Sequence, residues 1–227
     1  MSISLLSQFD GELIDGLQFC AMAYALFEQI RSTESGPSRL RMRKTKVEKR
    51  LIEELLPICK YVQAKYRAGR YISVRWVNGN QQFDAEVVQA GVYVQKGYFP
   101  ASAHLEATCV FHSKAYLSRE LLDTKGGSFG LDGIRRLKNG QIESKPVIRA
   151  NREFIQSYTK LVLKEIGKKA GKIYPPETTL ILQCSLNTLY TPEEWEALVA
   201  EVRSLQPEHQ FREIFMYDPV TEYSCSI

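Results

Sequence analysis

Two short stretches of alternating residues carry the side chains that could do chemistry. Asp84 and Glu86 lie in the run Phe-Asp-Ala-Glu-Val at residues 83–87, and Glu106 lies in a second run that alternates over residues 103–111. In a strand, every second side chain points to the same face. If the two runs form neighbouring strands, Asp84 and Glu106 come together on one face.

A pair of carboxylates near water suits a hard divalent cation. Mg²⁺ takes oxygen ligands and keeps several water molecules, which substrate phosphates can replace. A metal held there can polarise a phosphodiester and lower the pKa of an attacking water. We therefore predict that Asp84 and Glu106 bind Mg²⁺ or Mn²⁺. The alternative is that these acidic residues lie on a solvated face and pair with Arg75.

The densest positive charge in the chain lies between Arg39 and Arg50. Such a cluster attracts nucleic-acid phosphates without sequence preference, although a solvated loop and helix start would have the same composition. The net charge of +4 permits a polyanionic partner without requiring one. The candidate phosphate contacts are Arg39, Arg41, Arg43, Lys44 and Lys46.

Composition sets the class of protein. The chain has 227 residues, of which 44% are hydrophobic and 25% charged, so it can bury a core as one large domain or two small ones. The five cysteines are scattered and contain no Cys-x-x-Cys pair, which predicts reduced thiols instead of disulfides or a zinc site. With no signal-peptide pattern and no apolar run of roughly 18 residues, we expect a soluble cytoplasmic protein without a membrane partner.

The elements that would position the carboxylates can be read from periodicity. Apolar spacing predicts a helix or helix pair over residues 4–31 and a second helix over 47–66, kinked at Pro57. Residues 71–77 and 82–88 flank Asn78-Gly79, the strongest short hairpin signal. A two-residue turn there would pair Val77 with Asn80 and Ile72 with Ala85.

The rest of the chain alternates helices and strands. We predict a helix that ends at Gly126, a small hairpin around Lys138-Asn139-Gly140, a buried strand over 178–185 and a helix that begins with a capping box at Thr191. A long helix over 151–169 and a last strand over 211–217 complete the order. This order predicts an α/β fold with a mixed central sheet flanked by helices. Residues 1–45 would form an N-terminal helical extension and basic loop, and residues 46–227 the α/β domain.

The order of elements resembles the restriction-endonuclease-like superfamily, whose signature is PD-(D/E)xK, over roughly residues 46–217. The resemblance implies a Mg²⁺-dependent nuclease that cleaves DNA or RNA and can form a homodimer. It implies that Asp84 and Glu106 are the acidic residues of the motif and metal ligands. Glu54 would match the helix-borne acidic residue of many members.

The chain departs from this pattern at two positions. Phe83 stands where the motif has Pro, and Thr108 stands where it has Lys. Thr can donate a hydrogen bond but carries no charge, so it cannot replace Lys electrostatically. Because family members sometimes relocate the basic residue, we expect Lys114 or Arg119 to supply it.

Two histidines are further candidates for the site, and two functions other than a nuclease are open. His104 and His112 lie close enough in sequence to reach the same site. If no basic residue reaches the carboxylates, the fold would be an inactive relative that binds nucleic acid or serves assembly. A small-molecule α/β enzyme is the third class, and the chain has no cofactor motif that supports it.

Overall fold

The structure, a computed structural model, describes residues 5–227. A seven-stranded mixed sheet flanked by helices forms its centre, which confirms the predicted α/β class. A separate hairpin forms a two-stranded sheet. In chain order the strands are β1 (Leu13–Asp15), β2 (Tyr71–Trp76), β3 (Ala85–Ala90), β4 (Ser102–Val110), β5 (Ile134–Arg136), β6 (Ile142–Ser144), β7 (Thr178–Cys184), β8 (Glu213–Tyr217) and β9 (Ser224–Ser226).

Eight α-helices lie within the described residues, and a π-helical turn, Leu51–Leu55, joins the third to the fourth. The helices are α1 (Gly16–Arg31), α2 (Gly36–Met42), α3 (Lys46–Arg50), α4 (Leu56–Lys65), α5 (Val92–Gln95), α6 (Ala115–Lys125), α7 (Asn151–Ala170) and α8 (Pro192–Leu205). Of the helices described in residues 5–227, none is long and apolar enough to cross a bilayer.

The large sheet has the strand order β1-β2-β3-β4-β7-β8-β9. β4 and β8 run parallel to β7, whereas the other neighbours are antiparallel. One core lies between the sheet and α1 and α4, and a second lies between the sheet and α7 and α8. All residues of β7 are buried because helices cover both faces, as its continuous apolar sequence predicts.

Proline explains the irregular turn before α4. Pro57 has no N–H to donate and its ring clashes with the carbonyl one turn back, so a regular helix cannot continue through it. The backbone widens instead, and the N–H of Leu56 bonds the carbonyl of Leu51. The predicted kink is therefore a π turn, and Glu54 lies on it. Turns of this kind often lie at functional sites.

The hairpin of β2 and β3 is present, but the predicted register is wrong. Ile72 pairs with Gln89 and Trp76 with Ala85, and the N–H of Val77 donates to the carbonyl of Asp84 at 3.0 Å. The loop is six residues long, because neither residue of the Asn78-Gly79 pair has the positive φ that a two-residue type I′ turn needs. The register differs by four residues, an even number, so the predicted inner face is preserved.

The N-terminal segment contributes to the same sheet and core. The helix predicted over residues 4–31 begins only at Gly16, and residues 13–15 form β1, which pairs with β2. Residue 4 lies outside the described residues. Asp15 caps α1, because its carboxylate accepts hydrogen bonds from the backbone N–H groups of Leu17 and Gln18. The domain boundary predicted between residues 45 and 46 stays a prediction.

Other predicted features are present. The capping box at Thr191 starts α8, and the small hairpin turns at Gly140 with φ +85°. All five cysteines are free thiols, as predicted. The polar tail after the last predicted strand adds β9, which pairs with β8.

Candidate active site

Asp84 and Glu106 lie side by side where β3 begins. Ala85 pairs with Leu105, so one further step along the antiparallel register places Asp84 opposite Glu106. The backbone N–H of Asp84 still donates to the carbonyl of Leu105 at 2.8 Å. Asp84 Oδ2 accepts a 2.8 Å hydrogen bond from the N–H of Ala107. Just before β3 begins, the Asp84 carboxylate thus accepts the hydrogen bond that a backbone carbonyl would accept within the sheet.

Glu106 is buried on the face that α7 covers. Its register partner Leu180 belongs to the second core, so the Glu106 side chain points toward α7. Lys169, in the last turn of α7, forms an ion pair with Glu106 Oε1, and the hydroxyl of Tyr174 donates to the same oxygen at 3.4 Å. The exposed fractions of the two ion-paired side chains are only 17% and 10%, so this is a largely desolvated ion pair.

Glu54 lies on the π turn between α3 and α4, which packs on the face of the sheet opposite α7. Its Oε1 is ion-paired with Arg50, and its Oε2 accepts a 3.2 Å hydrogen bond from the indole N–H of Trp76. Burial raises the pKa of Glu54, the positive charge of Arg50 lowers it, and the negative charge of Glu106 raises it further. Glu54 and Glu106 are thus close enough to interact electrostatically.

Asp84 is the carboxyl without a cation. Its pKa is raised to about 8, first by burial and then by the negative charges of Glu54 and Glu106, against the N–H of Ala107 and the charge of Lys169. Within residues 5–227 Asp84 forms no ion pair. The three carboxylates therefore have two cationic partners, and a proton or a bound cation would neutralise the third.

Asp84 and Glu106 could each supply one carboxylate oxygen to a hard cation. Asp84 Oδ1 and Glu106 Oε2 accept no hydrogen bond from the part of the chain that the structure describes, whereas both oxygens of Glu54 are engaged. No group of three or more His, Cys, Asp or Glu side chains among residues 5–227 is arranged to hold a metal ion. Two carboxylates are nevertheless the usual protein contribution to a Mg²⁺ site completed by water and substrate phosphates.

Among residues 5–227, the predicted substitutes for the motif Lys form no ion pair with Asp84 or Glu106. Lys114 Nζ donates to the carbonyl of Asp132 at 2.7 Å. The guanidinium of Arg119 lies 4.6 Å from the centre of the Phe111 ring, and burial lowers its pKa. Lys114 and Arg119 thus make other contacts in this structure, and their role as the basic residue stays a prediction. The nearby cation is Lys169.

Among the described residues, the other candidates on β4 or just after it form no hydrogen bond or ion pair with Asp84 or Glu106. The imidazole of His104 packs on Phe83 with 4.7 Å between ring centres, and His112 lies 3.5 Å from Asp132. Thr108 is half-buried two residues after Glu106, and its hydroxyl bonds no residue in the described range. Thr108 thus shares a face with Glu106 but supplies no charge.

The basic run is largely neutralised by acidic neighbours. Arg39 pairs with the buried Glu48 at 2.6 Å, Arg41 with Asp123 at 3.1 Å and Arg43 with Glu53 at 3.3 Å. Within residues 5–227, three lysines of the run are exposed and form no ion pair. These are Lys44, Lys46 and Lys49.

Comparisons with protein-family models, with curated proteins and with solved structures gave no match. The functional interpretation of the site therefore depends on its geometry and on the sequence motif.

Proposed function

We propose that this chain is a Mg²⁺-dependent nuclease of the PD-(D/E)xK type in which Lys169 takes the part of the motif lysine. The observation that carries the proposal is the juxtaposition of Asp84, which forms no ion pair among the described residues, with Glu106 and its ion-paired lysine. A lysine beside two strand-borne carboxylates is the chemistry that the resemblance implies, supplied here from a different element.

The proposed roles follow from the contacts. Asp84 Oδ1 and Glu106 Oε2 would hold the metal, which when bound would polarise the phosphodiester and lower the pKa of an attacking water. Tyr174 orients Glu106 through its hydroxyl. The ammonium of Lys169 would stabilise negative charge on the phosphoryl oxygens, because a fixed charge in a water-poor site acts strongly.

The proposed partner is nucleic acid, bound through the exposed lysines of the basic run. Lysines that form no ion pair can neutralise phosphates and release counterions. The arginines of the run would first have to leave Glu48, Asp123 and Glu53. Of the phosphate contacts predicted from sequence, Lys44 and Lys46 are therefore the main ones in this proposal, and Lys49 joins them.

A second candidate is a non-enzymatic module that binds nucleic acid. It is favoured by the engagement of both Glu54 oxygens, which leaves only two carboxylates for a metal. This module would bind nucleic acid in a salt-dependent manner and would not cleave it.

Cleavage assays separate the two candidates. Labelled single-stranded DNA, duplex DNA and RNA are incubated with Mg²⁺, with Mn²⁺ or with EDTA. We expect metal-dependent cleavage that Asp84→Asn, Glu106→Gln and Lys169→Met abolish. Lys168→Met is the matched control, because Lys168 is the exposed neighbour and pairs with Glu165 away from the site.

Two negative results together would contradict the nuclease proposal. If the wild-type protein cleaves none of the three substrates with either metal, and calorimetric titration detects no metal binding that Asp84→Asn removes, the proposal is wrong. Salt-dependent binding without cleavage would then support the module.

A further inference from the structure

A cavity of about 270 Å³ lies at the amino ends of β4 and β7, under α4. Its lining includes three cations, Lys65, Arg70 and Arg212, but a single carboxylate, Glu213. The cavity is separate from the carboxylate site. Ala103 and Tyr61 in its wall belong to the core under α4, whereas Glu106 lies on the face of the sheet that α7 covers.

Arg70 is a buried charge without a carboxylate partner. Only 4% of the residue is exposed. Its Nε donates to Gln89 Oε1 at 2.8 Å, and its guanidinium lies 3.7 Å from the centre of the Phe99 ring. Arg70 forms no ion pair in residues 5–227. Burying a charge without an opposite charge is costly, and a neutral amide and an aromatic face offset only part of that cost.

The remaining charges at the cavity compensate one another. Lys65 is ion-paired with Glu213, which also accepts a hydrogen bond from Ser226. Arg212 is ion-paired with Glu177. The charge of Arg70 is left over, so the cavity has a net positive charge of one within these groups.

The backbone holds Arg70 in place before any ligand binds. Arg67 and Arg70 exchange two backbone hydrogen bonds across a tight turn in which Gly69 has φ +85°. The carbonyl of Gly69 accepts a 3.0 Å hydrogen bond from the N–H of Tyr93, and Gly91 approaches so closely that a Cβ there would lie 2.5 Å from the Gly69 oxygen. This close packing fixes the turn, which reduces the cost of ordering Arg70 on binding.

We propose that this cavity binds the phosphate group of a small phosphorylated molecule, with Arg70 as its anchor. A guanidinium presents a planar fork of donors that matches phosphate oxygens, and it remains charged at all physiological pH values. Lys65 and Arg212 lie in the wall to add further donors. This inference does not depend on the nuclease proposal.

Aromatic side chains at the mouth of the cavity indicate how a larger ligand would extend. Phe99 lines both the cavity and a neighbouring cleft of about 320 Å³ that Arg67, Tyr93 and Tyr98 complete. Tyr98 is 62% exposed, so its ring is open to stacking. A ring system attached to the phosphate would reach this cleft.

Isothermal titration of inorganic phosphate at low ionic strength tests the site, with chloride as the reference anion. We expect saturable binding to wild type and a loss of about 10-fold or more in affinity for Arg70→Gln, because the anchoring charge is gone. The matched control is Arg152→Gln, which removes the same charge from an exposed residue on α7 and should leave the affinity unchanged. Adenosine monophosphate and adenosine, titrated in parallel, separate the sources of phosphate. Tighter binding of the nucleotide than of phosphate assigns a ligand with a ring, and equal binding assigns phosphate alone.

Two results would overturn the proposal. One is the absence of phosphate binding to wild type up to about 10 mM, which corresponds to negligible affinity. The other is a loss of phosphate affinity in Arg152→Gln as large as that in Arg70→Gln, which would show nonspecific attraction of the anion by positive charge. Since Arg70→Gln removes a buried contact, Arg212→Gln at the half-exposed rim serves as a second variant, and it should weaken binding without affecting the melting temperature strongly.

Discussion

Replacing Asp84 by Asn should stabilise the protein at neutral and alkaline pH. The amide has nearly the shape of the carboxyl, and its oxygen can still accept the hydrogen bond from the N–H of Ala107. What changes is the negative charge facing Glu54 and Glu106. The substitution therefore isolates the electrostatic cost that this site imposes on folding.

The sign follows from the two pKa values. In the folded protein the pKa of Asp84 is about 8, and in the unfolded chain it is about 3.9. The folded state therefore binds the proton more tightly, so this carboxyl favours folding below about pH 4 and loses that contribution as pH rises to about 8. Each pH unit in this window corresponds to about 1.4 kcal/mol, which sets an upper bound of about 4 kcal/mol at pH 7.

The observable effect is smaller than that bound. Asp84 is partly exposed, and solvent screening reduces the interaction, so we expect about 2 kcal/mol near pH 8. For a chain of this length, 1 kcal/mol shifts the melting temperature by about 2–4 °C. Asp84→Asn should therefore melt about 4–8 °C above wild type near pH 8 and almost together with it near pH 4.

Calorimetric melting in EDTA over this pH range measures the difference. Glu196→Gln is the matched control, because it removes the same charge from an exposed position on α8 and should give a flat, small difference. If Asp84→Asn is less stable than wild type near pH 8, or if its advantage does not shrink on acidification, the electrostatic reasoning is refuted. Under the proposed function, Mg²⁺ should then raise the melting temperature of wild type and not of the variant.

Four further predictions concern the site and its support. Lys169→Met should lower stability by about 2 kcal/mol in urea unfolding, because Glu106 loses its cation, whereas Lys168→Met should change it by less than about 0.5 kcal/mol. Leu105→Ala, at a fully buried position in β4, should cost about 3 kcal/mol in the same assay. Thr191→Ala should cost about 1 kcal/mol through loss of the capping box. Under the proposed function, a triple Lys→Gln variant should reduce the slope of log affinity against log salt by up to about 3, and an unchanged slope would exclude phosphate contacts by these residues. The three positions are Lys44, Lys46 and Lys49.

The central strands could be predicted because their side-chain period is simple. The alternation of residues 103–111 and the continuous apolar run of β7 each define a strand without reference to distant residues. Neighbouring β3 and β4 then bring Asp84 beside Glu106 whatever the length of the loop before β3. Parity thus predicts the shared face of the two carboxylates, and the register of β3 with β4 places them opposite each other.

The hairpin register could not be predicted from its strongest local signal. Asn78-Gly79 favours a two-residue turn, but Gln81 caps the loop by donating to the carbonyl of Val77 at 2.6 Å, and Asp10 accepts a 2.8 Å hydrogen bond from the N–H of Asn78. These contacts stabilise the wider loop. One of them joins residues 68 positions apart, and no local pattern reports a contact of that separation.

The lysine of the site lay beyond sequence reasoning for a related reason. Lys169 is one of several cations near the end of α7, and a helix C-terminus favours cations without any ligand. What distinguishes it from Lys168 is the direction of its side chain, toward β4 instead of solvent. That direction is set by how α7 packs on the second core, through buried residues such as Val162 and Ile166. A motif search along β4 would look for the cation two residues after Glu106 and find Thr108, whereas the fold supplies the charge from 63 residues away. The position of a charge in space, and not its place in the motif, is therefore what the Lys169→Met and Lys168→Met pair of variants tests.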